Sequence, residues 1–255
     1  MLNQIDIQNI IAIAKEAGEA IMQIYNQDFE VEYKQDNSPL TLADKNANKI
    51  IEDGLRKLLV SLPILSEESK EIHYEERRYW EYFWLVDPLD GTKEFVGRNG
   101  EFTVNIALIC KDTPVLGVVY VPVSGTCYWA KKDDGAFKDG QRLPLITKDQ
   151  RDTYKVVVSR SHMSKETQSF IKLIVTDKEK VLTPVGSSLK ICMVAEGVAD
   201  IYPRLGPTME WDTAAAHAII NESSCTLSKF TDNPNNRHYY NKPSLLNSSF
   251  VVTCV

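Results

Sequence analysis

Two carboxylates follow a hydrophobic segment in the N-terminal half of the chain. Residues 82–86 have the length and the aromatic and β-branched composition of a buried strand. Asp87 and Asp90 come directly after it, with Pro88 between them at a position where proline favours a turn. Because a turn brings its first and fourth residues within about 7 Å, both carboxylates and the Leu89 carbonyl can face one point. Taken alone, this pattern fits a simple turn and a cation site equally.

Two more acidic positions favour the cation site. Glu67 closes a short apolar run at residues 62–65, and Asp212 stands at the start of a predicted helix. Two like charges held a few ångströms apart repel, so that one takes up a proton or a cation lies between them. Oxygen donors from carboxylates and a carbonyl suit magnesium, manganese or calcium better than zinc. The residues therefore predict a centre for a hard cation.

Three motifs together resemble the inositol monophosphatase superfamily of magnesium-dependent, lithium-sensitive phosphatases. They are Ser-Glu-Glu at 66–68, Asp-Pro-Leu-Asp-Gly-Thr at 87–92 and Trp-Asp-Thr-Ala-Ala at 211–215. Within the superfamily the chain is most similar to the bacterial 3'(2'),5'-bisphosphate nucleotidases. Lys-Glu-Phe stands at 93–95 where inositol phosphatases have Thr-Asn-Phe, and Arg-Asn-Gly-Glu-Phe-Thr at 98–103 continues the nucleotidase pattern. The resemblance extends from the first helix to about residue 220 and is weaker beyond it.

The resemblance implies metal-assisted hydrolysis of a phosphate monoester. Two or three Mg²⁺ ions are expected, and Mn²⁺ can substitute for them. The metal ligands implied for this chain are Glu67, Asp87, the Leu89 carbonyl, Asp90 and Asp212.

The same resemblance implies a catalytic group beside the ions. Asp44 and Thr92 would orient the attacking water, and Glu67 would act with them at a weaker third ion. The amides of Gly91 and Thr92 would receive the scissile phosphate. From the residues alone, Asp44 in the sequence Thr-Leu-Ala-Asp is equally an ordinary carboxylate in the first turn of a helix.

Substrate contacts are expected on both sides of the metal ligands. The full set implied by the resemblance is Leu89, Asp90, Gly91, Thr92, His162, Ser187, Ser188, Lys190, Arg204 and Asp212. Ser187, Ser188 and Lys190 precede or begin a predicted helix and would grip a second, non-reacting phosphate. The plainer alternative is a serine N-cap followed by a solvated lysine. His162 can equally be a structural residue.

The reaction implied is removal of the 3'-phosphate of adenosine 3',5'-bisphosphate, giving AMP and phosphate, and also of 3'-phosphoadenylyl sulfate. One alternative is an inositol phosphate or sugar-phosphate monoesterase with the same metal centre. Another is a cation-binding regulatory protein that has lost turnover, against which the complete set of catalytic residues argues.

Composition restricts the partners of the chain. It has 255 residues and a net charge of −6, which argues against binding a nucleic-acid polymer. A small nucleotide bisphosphate is the expected partner, and the oligomeric state is not predicted. Five scattered cysteines without a Cys-x-x-Cys motif predict free thiols. No export signal or membrane span is recognised, so a cytoplasmic protein is expected, with a peripheral position at the inner membrane left open.

The order of predicted elements is that of an α+β protein. Helices at 5–25 and from residue 41 to about 58 are separated by a predicted loop at 26–40. A β-meander follows, with its strands at 103–110, 115–121, 126–131, 136–138 and 143–146. Residues 1–150 therefore form an N-terminal α+β subdomain carrying most metal ligands.

The second half alternates strands with helices. Residues 151–255 are predicted to form a C-terminal α/β subdomain with the substrate contacts and Asp212. No chemistry is assigned to residues 222–255, whose polar part at 231–244 is predicted to be an exposed loop before a strand at 250–254. The resemblance implies that the whole is a layered αβαβα sandwich, with an antiparallel meander sheet, helices and a smaller α/β half.

Overall fold

A computed structural model provides the fold. It describes residues 1–27, 31–33, 39–147, 150–161, 163–231 and 237–254, with only the backbone at 31–33 and 39–41. His162, one of the predicted substrate contacts, lies outside the described residues.

Two helices precede the first sheet. Helix α1 spans Ile7–Tyr25, and Asp6 caps it by accepting a hydrogen bond from the Gln8 amide. Helix α2 spans Leu42–Arg56. Between them, strands β1 (Val31–Tyr33) and β2 (Pro39–Thr41) pair antiparallel, so the predicted loop at 26–40 contains a hairpin instead.

A seven-stranded sheet follows, in the strand order of the sequence. Its first two strands are parallel and all later neighbours are antiparallel, as expected for a meander. The strands are β3 (Ile64–Ser66), β4 (Tyr82–Asp90), β5 (Thr103–Cys110), β6 (Thr113–Val121), β7 (Thr126–Lys131), β8 (Gly135–Lys138) and β9 (Gln141–Arg142). Short helices α3 (Tyr74–Arg77) and α4 (Thr92–Val96) flank β4. Residues 143–146 are not a strand, contrary to the prediction.

The second half builds a five-stranded sheet and three helices. In chain order the elements are β10 (Thr153–Ser159), α5 (Lys165–Leu173), β11 (Glu179–Val185), α6 (Leu189–Glu196), β12 (Ile201–Arg204), α7 (Glu210–Asn221), β13 (Cys225–Lys229) and β14 (Phe250–Cys254). The spatial order is β11-β10-β12-β14-β13. Strand β10 is parallel to β11 and β12, whereas β14 is antiparallel to β12 and β13. The sequence pattern did not predict β13.

Hydrophobic side chains join these elements into five layers. Helices α1 and α2 cover one face of the large sheet, as the buried cluster around Ile10, Ile51 and Trp84 shows. Helices α6 and α7 lie between the other face and the small sheet, and α5 packs outside the small sheet. At Gly117 of β6 an added Cβ would lie 2.1 Å from the Ala215 carbonyl oxygen, so glycine permits the close approach of α7. The αβαβα sandwich is confirmed, while the division near residue 150 remains a proposal.

The structure also bears on the predicted free thiols and on a possible membrane span. Cys225 and Cys254 form a disulfide between the paired strands β13 and β14, so the prediction of free thiols is wrong for this pair. Cys110, Cys127 and Cys192 are free thiols. Among the helices that the structure describes, none combines the length and apolar character needed to cross a bilayer.

Candidate active site

The two central carboxylates stand on a β-bulge rather than on a reversing turn. Strand β4 continues through Asp90, with Asp87 opposite Asn105 and Asp90 opposite Thr103 of β5. Three steps along β4 thus face two along β5, and the extra residue forms a bulge. The Leu89 amide donates to Asp87 Oδ1 at 3.1 Å, which fixes the kink locally. The predicted turn is therefore wrong as a change of direction, although the kink still directs both carboxylates to one place.

Strand pairing and helix packing bring two more acids to the same cavity. Because β3 and β4 are parallel, their carboxyl ends meet at one edge of the sheet, and Glu67 follows β3 there with its amide bonded to the Val86 carbonyl at 3.1 Å. Asp212 lies in the first turn of α7 and accepts a hydrogen bond from the Met209 amide at 2.8 Å. Glu67, Asp87, Asp90 and Asp212 line a cavity of about 570 Å³.

Burial raises the pKa of Asp87, Asp90 and Asp212. Burial is the largest cause for Asp87, followed by the charges of Glu67, Asp90 and Asp212, and its pKa is well above the ordinary value. The pKa of Asp212 is likewise raised well above its ordinary value by burial and by Asp90. Burial also raises the pKa of Asp90, against the opposing charge of Lys190.

The donor set fits a hard cation in its chemistry. Several carboxylates that repel one another, together with the Leu89 carbonyl, are the oxygen ligands that Mg²⁺ prefers. In the described ranges, no three such side chains are already drawn together closely enough to hold an ion. Glu67, Asp87, Asp90 and Asp212 are together named the acidic wall. These side chains surround a cavity with excess negative charge and do not form a closed coordination shell.

The predicted water-orienting pair lies on two different elements beside this wall. Asp44 is buried in the first turn of α2, with 2% of its surface exposed, and its charge contributes to the raised pKa of Asp87. Thr92 begins α4 and lines the cavity, with its hydroxyl 3.5 Å from the Leu89 carbonyl oxygen. Gly91 precedes it at φ 97°, a conformation that glycine adopts without strain.

The same cavity also carries positive charge. Lys190 and Arg204 line it, from α6 and from the end of β12, and both are at least nine-tenths buried. Burial lowers the pKa of Lys190 to about 8, which the charge of Asp90 partly opposes. The Lys190 ammonium donates to the Ser187 carbonyl at 2.5 Å, and a guanidinium nitrogen of Arg204 donates to the Pro207 carbonyl at 2.7 Å. These two cations and Ser187 are called the basic wall below.

The segment before α6 is tied to the acidic wall. The Ser188 amide donates to Asp90 Oδ2 at 2.5 Å, and the Ser188 hydroxyl lies within 2.9 Å of polar atoms of Asn105 and Thr103. Ser188 makes no side-chain capping bond to α6, whereas the Ser187 hydroxyl accepts a hydrogen bond from the Leu189 amide at 3.4 Å. The plainer alternative is therefore wrong for the solvated lysine, because Lys190 is buried. The predicted contact of Ser188 with an anion remains a prediction. Ser187 adopts φ 47°, which is uncommon for a residue with a side chain.

Sequence reasoning missed Asn105 and Thr103, although one signal was available. Both are fully buried polar residues within the otherwise apolar strand β5. A buried polar group must be hydrogen-bonded, so polar residues in such a strand indicate a partner elsewhere in the fold. Here Asn105 also donates to Asp90 at 3.3 Å, and both residues support the junction of the two walls.

The far side of α7 carries a second buried polar network that includes the C-terminal tail. Glu210 is fully buried and accepts hydrogen bonds from the Asn241 amide and from the amide and ammonium of Lys242. Beside it, the Tyr240 hydroxyl joins Thr213 and His217. The predicted exposed loop at 231–244 is therefore wrong for His238 and Tyr240, which are buried, whereas Arg237, Tyr239, Pro243 and Ser244 are exposed as expected.

The fold and this cavity define a phosphatase of the inositol monophosphatase type, and comparison with known proteins agrees. The model of the inositol monophosphatase family matches residues 3–252. The chain belongs to this family.

Individual relatives are similar over nearly the whole chain. The 3'(2'),5'-bisphosphate nucleotidases CysQ of Salmonella typhimurium and Escherichia coli K12 are each 45% identical to it, over 97% of this chain and 99% of theirs. A crystal structure of CysQ from Bacteroides thetaiotaomicron, described as a bacterial member of the family, is 43% identical with a TM-score of 0.86, covering 97% of this chain and 96% of that one.

Proposed function

We propose that this chain is a 3'(2'),5'-bisphosphate nucleotidase that hydrolyses the 3'-phosphate of adenosine 3',5'-bisphosphate, giving AMP and phosphate. Its near-full-length relatives at 45% identity carry that name, and the inositol phosphatase alternative fits less well. The sulfated analogue, 3'-phosphoadenylyl sulfate, has the same 3'-phosphate and is a second candidate substrate.

The observation that carries this proposal is a single cavity with two oppositely charged walls. A bisphosphate needs one place where a phosphate reacts and another where a phosphate is only held. The acidic wall suits the first after cations have neutralised it, and the basic wall offers Lys190 and Arg204 to the second. A monoesterase acting on an uncharged alcohol would have no use for two buried cations facing the metal ligands.

Mg²⁺ is the proposed cofactor, held by Glu67, Asp87, the Leu89 carbonyl, Asp90 and Asp212. When bound, it would supply charge neutralisation for the phosphoryl oxygens and a lower pKa for an attacking water. Two or three ions, with Mn²⁺ as a substitute, remain part of the proposal.

The chain's own residues supply position and proton handling. Asp44 and Thr92 would hold the nucleophilic water, and the Gly91 and Thr92 amides would receive the reacting phosphate. Lys190, Arg204 and Ser187 would bind the 5'-phosphate and so orient the ribose for in-line attack on the 3'-phosphate. The cytoplasmic location remains a prediction, and nothing supports a peripheral position at the membrane.

Phosphate release from three substrates tests this function. Adenosine 3',5'-bisphosphate, inositol 1-phosphate and AMP are each supplied with Mg²⁺ and again with excess EDTA. We expect strong preference for the bisphosphate and no release after chelation. Equal or faster turnover of inositol 1-phosphate would keep the metal chemistry and refute the role of the basic wall. Absence of release from all three would favour a regulatory protein instead.

A matched pair of variants then tests the basic wall directly. Lys190→Met retains most of the side-chain volume and removes the cation, so KM for the bisphosphate should rise by about 10- to 100-fold, the size of a lost charge-assisted hydrogen bond. Lys155→Met, on strand β10 and outside the lining of the cavity, serves as the control and should leave KM unchanged.

A further inference from the structure

An ion pair joins the two halves of the chain next to the proposed second phosphate. Glu101 lies in the loop before β5, and its carboxylate accepts two hydrogen bonds from the Arg160 guanidinium, at 2.9 and 2.6 Å. Arg160 lies just after β10 and also donates to the Pro184 carbonyl of β11 at 2.7 Å. A bidentate pair of this kind restricts geometry as well as adding attraction.

The same carboxylate holds the backbone of the basic wall. The Gly186 amide donates to Glu101 Oε2 at 2.7 Å. Partial burial opposes ionisation of Glu101, but the hydrogen bonds from Arg160 and Gly186 outweigh it and lower its pKa. Glu101 is therefore a charged acceptor that is shared between a side chain and the chain segment leading into α6.

Steric contact at Gly186 supports this reading independently. A Cβ added there would lie 2.4 Å from Glu94 Cγ and 2.8 Å from the Glu101 carbonyl oxygen. Glu94 in turn accepts a hydrogen bond from the Ser161 hydroxyl at 2.9 Å, next to Arg160. Residues 94–101, which run from α4 into the loop before β5, thus pack closely against the segment and also hold it by a hydrogen bond.

Ser187 is consequently fixed from both sides. The backbone amide of Gly186, the residue before it, donates to Glu101, and the backbone amide of Ser188, the residue after it, donates to Asp90. Both anchors are carboxylates from the large-sheet side, and between them Ser187 keeps the uncommon φ of 47° while its carbonyl accepts from Lys190. An unanchored segment would relax from this conformation and move the lysine with it.

We propose that Glu101 and Arg160 form a positioning pair that sets the second-phosphate subsite and thereby the preference for a bisphosphate over a 3'-monophosphate. This inference rests on the proposed function. Neither residue touches the reacting phosphate in this scheme; they act through Gly186, Ser187 and Lys190.

The exposure of the pair makes its role measurable. Side chains of Arg160 and Glu101 are 42% and 24% exposed, and partly exposed ion pairs contribute little to folding. Glu101→Gln and Arg160→Met should therefore fold normally, so that any loss reports on the subsite. The Asp112→Asn variant is the control, because it breaks another surface ion pair, Asp112–Arg237, neither residue of which lines the cavity.

The experiment compares adenosine 3',5'-bisphosphate with 3'-AMP, which lacks the 5'-phosphate. For Glu101→Gln and Arg160→Met we expect KM for the bisphosphate to rise about tenfold, equivalent to about 1.4 kcal/mol, while kcat stays within twofold. Values for 3'-AMP should not change, and Asp112→Asn should change neither substrate. The double variant should lose no more than either single variant, because the pair acts as one unit. Arg160→Lys, which keeps the charge but not the bidentate geometry, should recover part of the loss.

Two results would overturn the proposal. Equal losses on both substrates would show a merely structural role, and unchanged KM for the bisphosphate would show no role. Calorimetric binding of AMP, whose only phosphate is the 5'-phosphate, distinguishes failure of the proposed pair from failure of the proposed function. If the wild type lacks bisphosphate preference yet binds AMP, weaker AMP binding by the variants still supports the pair; if the wild type does not bind AMP, the subsite and the pair are both refuted.

Discussion

Two carboxylates, Glu210 and Asp212, stand two residues apart at the start of α7, and their surroundings differ. Glu210 is fully buried, and Lys242 reaches it with its ammonium at 2.5 Å. Burial raises the pKa of Glu210, but Lys242 and two backbone amides oppose that rise. Asp212 accepts from the Met209 amide at 2.8 Å, and its pKa is raised by burial and then by the negative charges of Asp90 and Glu67, against a smaller opposing effect of Arg204.

The comparison separates a structural carboxylate from a functional one. Around Glu210 the protein supplies the counter-charge itself, which holds the tail against the helix. Around Asp212 the nearest charges in the acidic wall are of the same sign, an arrangement that is unfavourable until a cation enters. Buried acids that the protein leaves in mutual repulsion are therefore the ones that point to a ligand.

The largest expected effect is the loss of turnover in Asp212→Asn. The substituted side chain still has an oxygen that can accept from the Met209 backbone amide, but it has no negative charge toward the cavity. We therefore expect kcat for the bisphosphate to fall about 10³-fold or more. Thermal stability without metal should not fall, because repulsion from Asp90 is removed. Phosphate release and thermal unfolding measure the two quantities, and turnover within tenfold of the wild type would contradict the assignment.

The opposite pattern is expected for Lys242→Met. Removing the ammonium leaves Glu210 buried without its cation, and the free energy of unfolding should fall by about 3 kcal/mol. Turnover per folded molecule should barely change. Urea unfolding measures the loss, with Lys49→Met as control, since its partner Asp53 is exposed. The double variant Glu210→Gln/Lys242→Met should recover part of the stability. If Lys242→Met lost less than about 1 kcal/mol, Glu210 would not be a structural carboxylate that depends on this lysine.

Mg²⁺ binding should also distinguish Asp212 from Glu210, through a smaller change in stability. At 100 times its Kd, a ligand of the folded state stabilises by about 2.7 kcal/mol, or about 5–10 °C in Tm for a chain of this size. The shift should persist in Lys242→Met and disappear in Asp212→Asn, with equal ionic strength of NaCl as reference. A shift of the same size in both variants would show that Mg²⁺ binds elsewhere.

The last expected effect, which is small near neutral pH, concerns the histidines of the Glu210 side. Burial lowers the pKa of His217 and of His238 to about 3. The unfolded chain binds protons below about pH 6.5 and the folded chain does not until about pH 3, so stability is complete above pH 6.5 and declines as the pH falls. The slope should approach about 1.4 kcal/mol per pH unit for each histidine. Unfolding at several pH values measures it, and His238→Gln should lower the slope; an unchanged slope would refute the assignment to this residue.

Local patterns predicted the elements well where the partner of each element was close in sequence. The periodicity of α1 and the residue range of β5 agree with the structure, because amphipathic faces and buried strands are encoded in adjacent residues. The same reasoning failed between β4 and β5. Pairing with β5 carries β4 past Pro88, so a predicted turn became a bulge.

The predictions for the tail failed for a related reason. The described residues 237–244 of the predicted loop are mostly polar, and polar composition indicates a loop but not whether that loop is exposed. His238 and Tyr240 are buried because they join a network with α7. Arg77, which is more than 160 residues earlier in the sequence, donates to the Asn241 side chain at 2.8 Å. The cross-strand disulfide of Cys225 and Cys254 likewise depends on strand pairing rather than on cysteine spacing.

The sequence by itself determined which side chains are available and in what order: the acids after β3 and β4, the acidic start of α7, and the serines and lysine before and within α6. Only the tertiary structure decided how each charge is used. Glu210 and Asp212 are indistinguishable as acids in the first turn of one helix, yet one meets Lys242 and the other meets Asp90. Coulomb energies and desolvation depend on the distances between remote segments, and packing, not local sequence, sets those distances.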